Sequence, residues 1–196
     1  MTICITGWRS KIAEEFCALL PPGEDAIWGK PCEPDFPTAD RYLFCHGLLR
    51  PKSMEDQTQE ERDEGWLVNF ISTATQCDWI IRANPAARIC IIGSESAYRD
   101  SYDGTYAVAK QALHSYVGSR KLRSPGQQLV AISPGIIADC GMTTRRTDTA
   151  NLARRRDEHP MGRFIAASEI ALLAHHLLYH QPYVSGTVIR MHGGLK

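Results

Sequence analysis

A tyrosine and a lysine stand four residues apart in the stretch GTYAVAKQAL, as Tyr106 and Lys110. On a helix, two residues at this spacing project from the same face. A phenol is a poor acid or base near neutral pH, but a neighbouring ammonium stabilises the phenolate and lowers its pKa. The pair could therefore move a proton to or from an alcohol oxygen. Because this spacing also arises by chance, the surrounding residues decide its significance.

Several polar or turn-forming residues follow predicted strands or lie in a predicted helix. Ser94, and then Ser96, come directly after the apolar run ARICIIG, at a strand end where a hydroxyl can hold a substrate oxygen. Asn69 lies in the predicted helix QEERDEGWLVNFIS. Pro134 and Gly135 form a turn after a later strand, where backbone can approach a ring. These residues extend the candidate site beyond the tyrosine and the lysine.

Short apolar or β-branched runs alternate with longer amphipathic ones along the chain. The alternation predicts a parallel sheet with helices on both faces. A chain of 196 residues with 43% apolar content is long enough for one core, so we expect a single domain over 1–196. The predicted strands are 2–6, 25–29, 41–45, 87–93, 128–133 and 187–191, and the predicted helices lie near 11–20, 59–82, 105–120 and 168–180.

The first turn, TGWRSKIAEEF, has an unusual composition for a nucleotide-binding loop. In a dinucleotide-binding fold this turn carries glycines, because the backbone must approach a diphosphate at a helix N-terminus. Here Gly7 is present, but the later positions hold Lys11 and Ala13. Lys11 and Arg9 offer the positive charge that a phosphate attracts. The alternative is a plain first turn with basic residues facing solvent.

Two segments interrupt the alternation of strands and helices. The segment 29–40 contains Pro31, Pro34 and Pro37, so we expect an extended connector along a sheet edge that forms no strand. The segment 138–163 carries five arginines between positions 145 and 156. It is either a flap over the carboxyl ends of the strands, where open α/β sheets bind ligands, or a solvated charged helix.

The overall charge and hydropathy exclude some classes of partner. Lysine plus arginine and aspartate plus glutamate number 22 each, so no net charge favours nucleic acid or an anionic membrane surface. A small-molecule partner is the expected one. No apolar run approaches the roughly 20 residues of a membrane span, and the first strand begins without a signal-peptide pattern. We therefore expect a cytoplasmic protein.

The cysteines and histidines do not predict a metal site. The seven cysteines are scattered without a C-x-x-C pair, which favours reduced, buried thiols. His176 and His180 have the i, i+4 spacing of a metal pair, and His175 lies beside them. No glutamate or third ligand accompanies them, so we interpret them as helix-surface histidines.

The order of these pieces resembles the short-chain dehydrogenase/reductase family, over nearly the whole chain. Thr6 and Gly7 match the start of the family's glycine loop, and Cys45-His46-Gly47 resembles a degraded Asn-Ala-Gly motif. Pro134-Gly135 matches its nicotinamide-side turn, the stretch 160–163 the start of its late helix, and 186–194 its last strand and tail. The resemblance implies a Rossmann-like doubly wound parallel sheet.

The resemblance also implies an activity and a set of site residues. The protein would be an NAD(P)(H)-dependent oxidoreductase that interconverts a small carbonyl compound and a secondary alcohol. Tyr106 would be the acid or base, Ser94 would orient the carbonyl, Lys110 would lower the tyrosine pKa and bind ribose, and Asn69 would hold a water. Ser96 is an alternative to Ser94, because the serine-to-tyrosine gap is one residue shorter than usual. The implied cofactor-binding residues are Gly7, Arg9, Ser10, Lys11, Ile12, Lys30, His46, Gly47, Tyr106, Lys110, Pro134, Gly135 and Ile137.

The chain departs from the family pattern where the family has a third strand and its helix. Only the proline-rich connector stands there, so we expect six strands, with the edge strand missing and the adenine side of the cofactor site altered. The second strand ends without the acidic residue that selects NAD, and Arg9 and Lys30 make this region positive. NADP(H) is therefore favoured over NAD(H).

The sequence is also compatible with a second function. The chain could be a relative that kept the fold, lost the dinucleotide, and does non-redox chemistry or acts as a non-catalytic partner. Lys110 favours redox chemistry, because the family's dehalogenase-like branch lacks that lysine. The resemblance also implies a homodimer or homotetramer paired through helices 59–82 and 105–120, and the arginines indicate an anionic substrate.

Overall fold

Six short apolar segments pair side by side in one parallel sheet. The computed structural model describes residues 1–33, 36–99 and 101–195. Within these residues the strand order is β2-β1-β3-β4-β5-β6, and every neighbouring pair is parallel. The strands are β1 Thr2–Thr6, β2 Asp25–Gly29, β3 Arg41–Phe44, β4 Arg88–Ile92, β5 Gln128–Pro134 and β6 Thr187–Met191. The predicted six-stranded parallel sheet is confirmed for the described residues.

Helices cover both faces of this sheet, and their positions follow the predicted ones closely. The first helix ends earlier than expected, at Cys17, a few residues before Pro21. The predicted long helix over 59–82 is continuous, with a π-helical turn in its middle, at Leu67–Ile71. The helices are α1 Lys11–Cys17, α2 Gln59–Trp66, α3 Ser72–Ala83, α4 Gly104–Ser119, α5 Gly141–Thr144, α6 Thr149–Asp157 and α7 Ala167–His180.

The alternation of side chains along each strand divides the core into two layers. Ile3 and Ile5 of β1 pack towards α1 and α7, whereas Cys4 between them packs towards α3 and α4. Side chains along a strand alternate between faces, so a strand that is apolar at every position must be covered on both. The core is therefore doubly layered, and the carboxyl ends of all six strands meet at one edge.

The connector after β2 crosses a face of the sheet, and the prediction that it follows the edge was wrong. Phe36 stacks on Phe44 of β3 with ring centroids 5.7 Å apart, and β3 lies between β1 and β4. A Cβ on Gly29 would lie 2.7 Å from the Phe36 ring, so glycine makes room for it. Burial of the apolar Phe36 ring holds the connector against the core. The described parts of 29–40 contain no strand beyond Gly29, while Pro34 lies outside the described residues.

The cysteines, all in the described part of the chain, are free, and four of them are buried. Burial raises the pKa of the Cys4 and Cys90 thiols to about 12, so these thiols are unreactive at neutral pH. His176 and His180 are exposed on α7, with ring centroids 5.6 Å apart. Among residues 1–33, 36–99 and 101–195, no group of three potential ligands could hold a metal ion, and no helix has the length and apolarity to cross a membrane.

Candidate active site

Ser94 lies just beyond the carboxyl end of β4, where the backbone stays extended before a 3-10 turn at Glu95–Ala97. Its Oγ accepts a hydrogen bond from the Ser96 amide at 3.1 Å, and its own amide donates to Nε2 of His114 at 3.4 Å. These contacts fix both the backbone and the hydroxyl. Ser96 therefore supports Ser94 through its amide.

Tyr106 and Lys110 are both buried on α4, with 6% and 3% of their surfaces exposed. The start of this helix is held by Asp103, whose side chain accepts a hydrogen bond from the Tyr106 amide at 3.0 Å. Asp103 also accepts the amide of Arg50 at 2.8 Å and the side chain of Gln57 at 2.9 Å. The N-cap thus anchors the first turn of α4 to the loop after β3.

The lysine ammonium faces the end of β4 beside the tyrosine ring. Nζ of Lys110 donates to the carbonyl oxygen of Ile92 at 3.0 Å and lies 5.7 Å from the centre of the Tyr106 ring. Burial disfavours the charged form and lowers the pKa of Lys110 to about 8. Burial also raises the pKa of Tyr106, against the opposing effect of a hydrogen bond with Ser94. The expected lowering of the tyrosine pKa is thus not found, because burial outweighs it.

Asn69 lies in the π-helical turn between α2 and α3. Its side-chain amide donates to the carbonyl oxygens of Gly65 at 2.9 Å and Leu48 at 2.8 Å, and its oxygen accepts the Leu48 amide at 2.9 Å. A Cβ on Gly47 would lie 3.4 Å from the Asn69 oxygen and 3.8 Å from Nζ of Lys110. Gly47 therefore separates these two side chains at the floor of the site.

The first turn retains its one essential glycine. Gly7 has a φ of 73°, and a Cβ there would lie 2.8 Å from the backbone of Cys45 and His46. Any side chain would push the turn away from the end of β3. The amide of Ser10 donates to the Gly7 carbonyl at 2.7 Å and closes the turn. Arg9 stacks over the Trp8 ring at 4.7 Å.

The diphosphate side of the predicted site differs from an open glycine loop. Lys11 is turned along its own helix, with Nζ 2.7 Å from Glu14 and 3.1 Å from Glu15. The thiol of Cys140, which is 8% exposed, packs with Ile12 near the N-terminus of α1; burial raises the pKa of this thiol, and the Ile12 amide opposes that rise. This thiol therefore lies beside a helix N-terminus, where the backbone amides would otherwise face an anion.

The segment after β5 covers the carboxyl ends of the strands, which agrees with the predicted flap. A parallel bridge between Ile137 and Ile165 joins the two ends of this segment. The methyl group of Met142 would lie 3.5 Å from a Cβ on Gly47, which places it near Lys110. The arginine-rich α6, in contrast, contains no buried residue and forms ion pairs on the surface, such as Arg154 with Glu158 at 2.9 Å. The part of the segment around Met142 thus covers the candidate site, whereas α6 is a solvated charged helix.

His46 joins the end of β1 to α3. One ring nitrogen lies 2.7 Å from the hydroxyl of Thr6 and the other 3.0 Å from that of Thr73. Burial, together with the charge of Lys110, lowers the pKa of His46 to about 3, so the ring is neutral. Because both ring nitrogens contact threonine hydroxyls, the side chain of this predicted cofactor residue connects two elements of the fold.

The remaining predicted cofactor residues lie on either side of this centre. Pro134 ends β5, and the Gly135 amide donates to the carbonyl of Met191 at 3.0 Å, so β6 holds this turn. Ile137 packs against the core. Lys30 is exposed beyond β2, where its ammonium lies 2.9 Å from Glu33. Strand β2 forms one edge of the sheet and β5 lies next to the other edge. Lys30 and the Pro134-Gly135 turn therefore lie on opposite sides of the central strands β1, β3 and β4.

Sequence reasoning missed several residues that surround the candidate site. Cys140, Met142 and His114 approach it through packing between distant segments, which leaves no periodic signal. Glu95 could have been identified from the sequence. A carboxylate that follows a buried strand so closely needs a cation or a hydrogen-bond donor as its partner. The structure supplies that partner as Arg190 of β6.

Most of the chain matches a known protein family. The family model described as enoyl-(acyl carrier protein) reductase matches residues 32–196, which include Asn69, Ser94, Tyr106 and Lys110 and omit the glycine loop. The chain belongs to the short-chain dehydrogenase/reductase family. It is therefore an oxidoreductase of that type, and the family implies a nicotinamide dinucleotide as cofactor.

Solved structures of short-chain dehydrogenases/reductases share the fold. An oxidoreductase of the family from Burkholderia thailandensis superposes with a TM-score of 0.84 at 17% identity, over 99% of this chain and 92% of that one. A glucose/ribitol dehydrogenase-type member from Brucella melitensis gives 0.83 at 20%, over 98% and 95%. A 3-oxoacyl-[acyl-carrier protein] reductase from the same species gives 0.79 at 17%, over 99% and 90%. No curated protein matches the sequence.

The residues of this short-chain dehydrogenase/reductase fit a nicotinamide dinucleotide on one side of the site. Gly7 lets the first turn pack against the end of β3, and the Lys110 ammonium is buried beside Gly47 with one carbonyl partner. On the diphosphate side, Cys140 packs against Ile12, and the Lys11 ammonium already pairs with Glu14. The nicotinamide and ribose side is thus the better preserved part.

Proposed function

We propose that the protein interconverts a small carbonyl compound and the corresponding secondary alcohol with NAD(P)(H). The observation that carries this proposal is the convergence of Ser94, Tyr106 and Lys110 at the end of β4, where the Ser94 hydroxyl opposes the rise in the Tyr106 pKa that burial causes. A buried phenol, a hydroxyl and an ammonium in one place are the groups needed to polarise a carbonyl and move its proton.

Each of these residues has one task in the proposed mechanism. Ser94 donates a hydrogen bond from its hydroxyl to the substrate oxygen, and the Ser96 amide, which donates to the same Oγ, orients this hydroxyl. Tyr106 is protonated at neutral pH, since burial raises its pKa, and therefore serves as the general acid in reduction. A nicotinamide dinucleotide, when bound, supplies the hydride in reduction and accepts it in oxidation.

Lys110 and Asn69 have auxiliary roles in this chemistry. The Lys110 ammonium binds the ribose hydroxyls and stabilises negative charge that develops on Tyr106. Its pKa of about 8 keeps it largely charged at pH 7. Asn69 orients a water that passes protons to Lys110, and the π-helical turn holds its side chain close to Gly47.

Within this proposal we favour NADP(H) over NAD(H). Arg9 and Lys30 lie in the two loops that follow β1 and β2, and no acidic residue ends β2. Glu33 already pairs with Lys30 at 2.9 Å, so a 2′-phosphate must compete with this carboxylate. Both groups of that pair are exposed, which keeps the competition weak.

We further propose a small anionic substrate and a homodimer or homotetramer. The arginines of the segment after β5 carry the charge that an anion attracts, although several have acidic partners. The outer sides of the helices proposed to pair expose Leu67, Ile71 and Val108, with 42%, 45% and 43% of their surfaces accessible. Because the cysteines are free, we propose a reducing compartment such as the cytoplasm.

A second candidate is a family member that has lost dinucleotide binding and does non-redox chemistry or serves as a non-catalytic partner. The contacts of Cys140 with Ile12 and of Met142 beside Gly47 favour it, because both fill space that a dinucleotide would need. Lys110 favours the first candidate, since its buried ammonium has no carboxylate partner among the described residues.

Titration of the protein with NADPH and NADH, followed by fluorescence or calorimetry, separates the two candidates. The oxidoreductase proposal predicts saturable binding of at least one of them and oxidation of the reduced cofactor by a carbonyl compound. Binding without turnover of any carbonyl would limit the protein to a cofactor-binding role. Absence of binding would favour the second candidate.

A further inference from the structure

The carboxylate of Glu95 is buried in the turn that directly follows Ser94. The residue is 5% exposed, and its Oε1 accepts hydrogen bonds from Oγ of Ser133 at 2.8 Å and from Nε of Arg190 at 3.0 Å. Oε2 accepts a further bond from the Arg190 guanidinium. Burial raises the pKa of Glu95, but the bonds from Arg190 and Ser133 outweigh it and hold the pKa below its usual value.

This carboxylate connects three adjacent strands at their carboxyl ends. Glu95 follows β4, Ser133 lies in β5 and Arg190 lies in β6. The guanidinium carbon of Arg190 also lies 4.2 Å from the centre of the Tyr98 ring, and the Tyr98 amide donates to the Glu95 carbonyl at 3.0 Å. The arginine is thus held on two sides, by the carboxylate and by an aromatic ring of the same turn.

The turn that Glu95 anchors determines where the Ser94 hydroxyl points. The amide of Ser96 donates to Oγ of Ser94 at 3.1 Å, and the amide of Ala97 donates to the Ser94 carbonyl at 3.1 Å. If the turn rotates, the Ser96 amide moves and Oγ loses its donor. The hydroxyl would then be free to adopt other rotamers and to point its proton elsewhere.

A gain in stability is a weak explanation for this arrangement. A buried ion pair loses much of its attraction to desolvation, and apolar residues of similar size often serve a fold as well. We propose that Glu95, with Arg190 and Ser133, is a positioning residue that fixes the Ser96 amide and through it the hydroxyl of Ser94. This inference rests on the proposed function, in which Ser94 contacts the substrate.

The variant Glu95→Gln tests the inference, because glutamine keeps the volume and an acceptor for Ser133 but removes the charge that holds Arg190. Amide hydrogen exchange followed by NMR should show the Ser96 amide exchanging about tenfold faster or more. The amide of Gly93, which donates to the carbonyl of Ile132 at 2.7 Å, should keep its rate and serves as an internal reference.

Turnover gives a second measurement, with NADPH and diacetyl as the probe. Glu95→Gln should lower kcat by about 10- to 100-fold, the effect of a small misplacement at a reacting centre, and leave the KM for NADPH unchanged. Arg190→Met should behave like Glu95→Gln, and the double variant should be no worse than either single one. Arg190→Lys keeps the charge and should restore much of the activity that Arg190→Met loses.

Asp78→Asn is the matched control. Asp78 forms a comparable contact with Arg120 at 2.6 Å and Tyr116 at 2.7 Å, between α3 and α4 and away from Ser94. It should lower stability without changing the exchange of Ser96 relative to Gly93. Unchanged Ser96 exchange in Glu95→Gln, or an equal rise at Ser96 and Gly93, would overturn the inference. Faster Ser96 exchange in a protein that reduces no carbonyl would uphold the positioning and refute the proposed function.

Discussion

Nζ of Lys110 donates a hydrogen bond to the carbonyl oxygen of Ile92 at 3.0 Å, so the ammonium of α4 is fixed at the end of β4. Ser94 follows Ile92 by two residues, and the same contact therefore sets the distance between the lysine and the serine. The strand end and the helix act as one rigid support for the proposed chemistry. A change at Lys110 should accordingly alter both the site and the energetics of the fold.

Replacing Tyr106 by phenylalanine should lower turnover by about 10²- to 10⁴-fold, the usual loss when one acid or base is removed. Binding of the nucleotide should change little, because the ring only packs and the hydroxyl serves proton transfer. Steady-state kinetics and calorimetry measure the two quantities. Tyr102→Phe, at a residue that is 71% exposed, is the control. Near-normal turnover in the Tyr106 variant would remove this residue from the mechanism.

Lys110→Met should abolish turnover and weaken cofactor binding, yet raise the free energy of unfolding at pH 7. A pKa of about 8 in the fold, against 10.5, means that the charged lysine destabilises the native state by about 3 kcal/mol below pH 8. Because the unfolded chain binds more protons between pH 8 and 10.5, the wild type gains stability across that range. Chemical denaturation from pH 7 to 10 should show the advantage of the variant shrinking.

The exposed Lys121→Met is the matched control for this lysine and should leave both stability and binding unchanged. Lys110→Ala should also weaken turnover and cofactor affinity, although it leaves a cavity that obscures the gain in stability. If neither variant of Lys110 changes turnover or affinity, the family interpretation of the site is wrong.

His46 should make the protein sensitive to acid. Its pKa is about 3 in the fold and near 6.5 when unfolded, so the unfolded chain binds a proton first as the pH falls. The stability that depends on neutral His46 is complete above pH 6.5 and decreases between pH 6.5 and 3. In His46→Gln the free energy of unfolding should fall less steeply over this range. Equal slopes would show that His46 is not held neutral, and the exposed His180→Gln should match the wild type.

The cofactor preference should respond to the charges near the end of β2. Glu33→Gln should tighten NADPH binding relative to NADH, because it frees Lys30 from its carboxylate partner. Lys30→Met and Arg9→Ala should weaken NADPH binding, each by less than about tenfold, since exposed charges are screened. The preference should shrink at high salt. Tighter NADH binding at low ionic strength would show that these cations do not meet the 2′-phosphate.

Truncation of Met142 should tighten dinucleotide binding. Its methyl group lies beside Gly47 near Lys110, where we place the ribose, so a ligand there must displace it. Met142→Ala removes this competition and should lower the Kd for NADPH in calorimetry. Met161→Ala, at an exposed residue of the same segment, should have no effect. Weaker binding in Met142→Ala would mean that the methionine contacts the ligand instead.

Local patterns predicted most of the sheet and part of the site. The apolar runs give every strand to within one residue, because the four central strands are buried on both faces and the two edge strands keep short apolar runs. The helical spacing of Tyr106 and Lys110 gives their common face. Contacts between distant segments were not predictable: Phe36 crosses the sheet face, and Glu95 meets Arg190 across 95 residues of sequence. Such pairs follow from the packing of whole elements and leave no local periodicity.

Calorimetric titration of NADPH into the wild-type protein, with Lys110→Met in parallel, tests the central claim most directly. We expect saturable binding in the range between about 1 μM and 1 mM that is usual for enzymes and their ligands, and clearly weaker binding to the Lys110→Met variant. Absence of binding of both NADPH and NADH to the wild type, or equal affinity of the wild type and the variant, would contradict it.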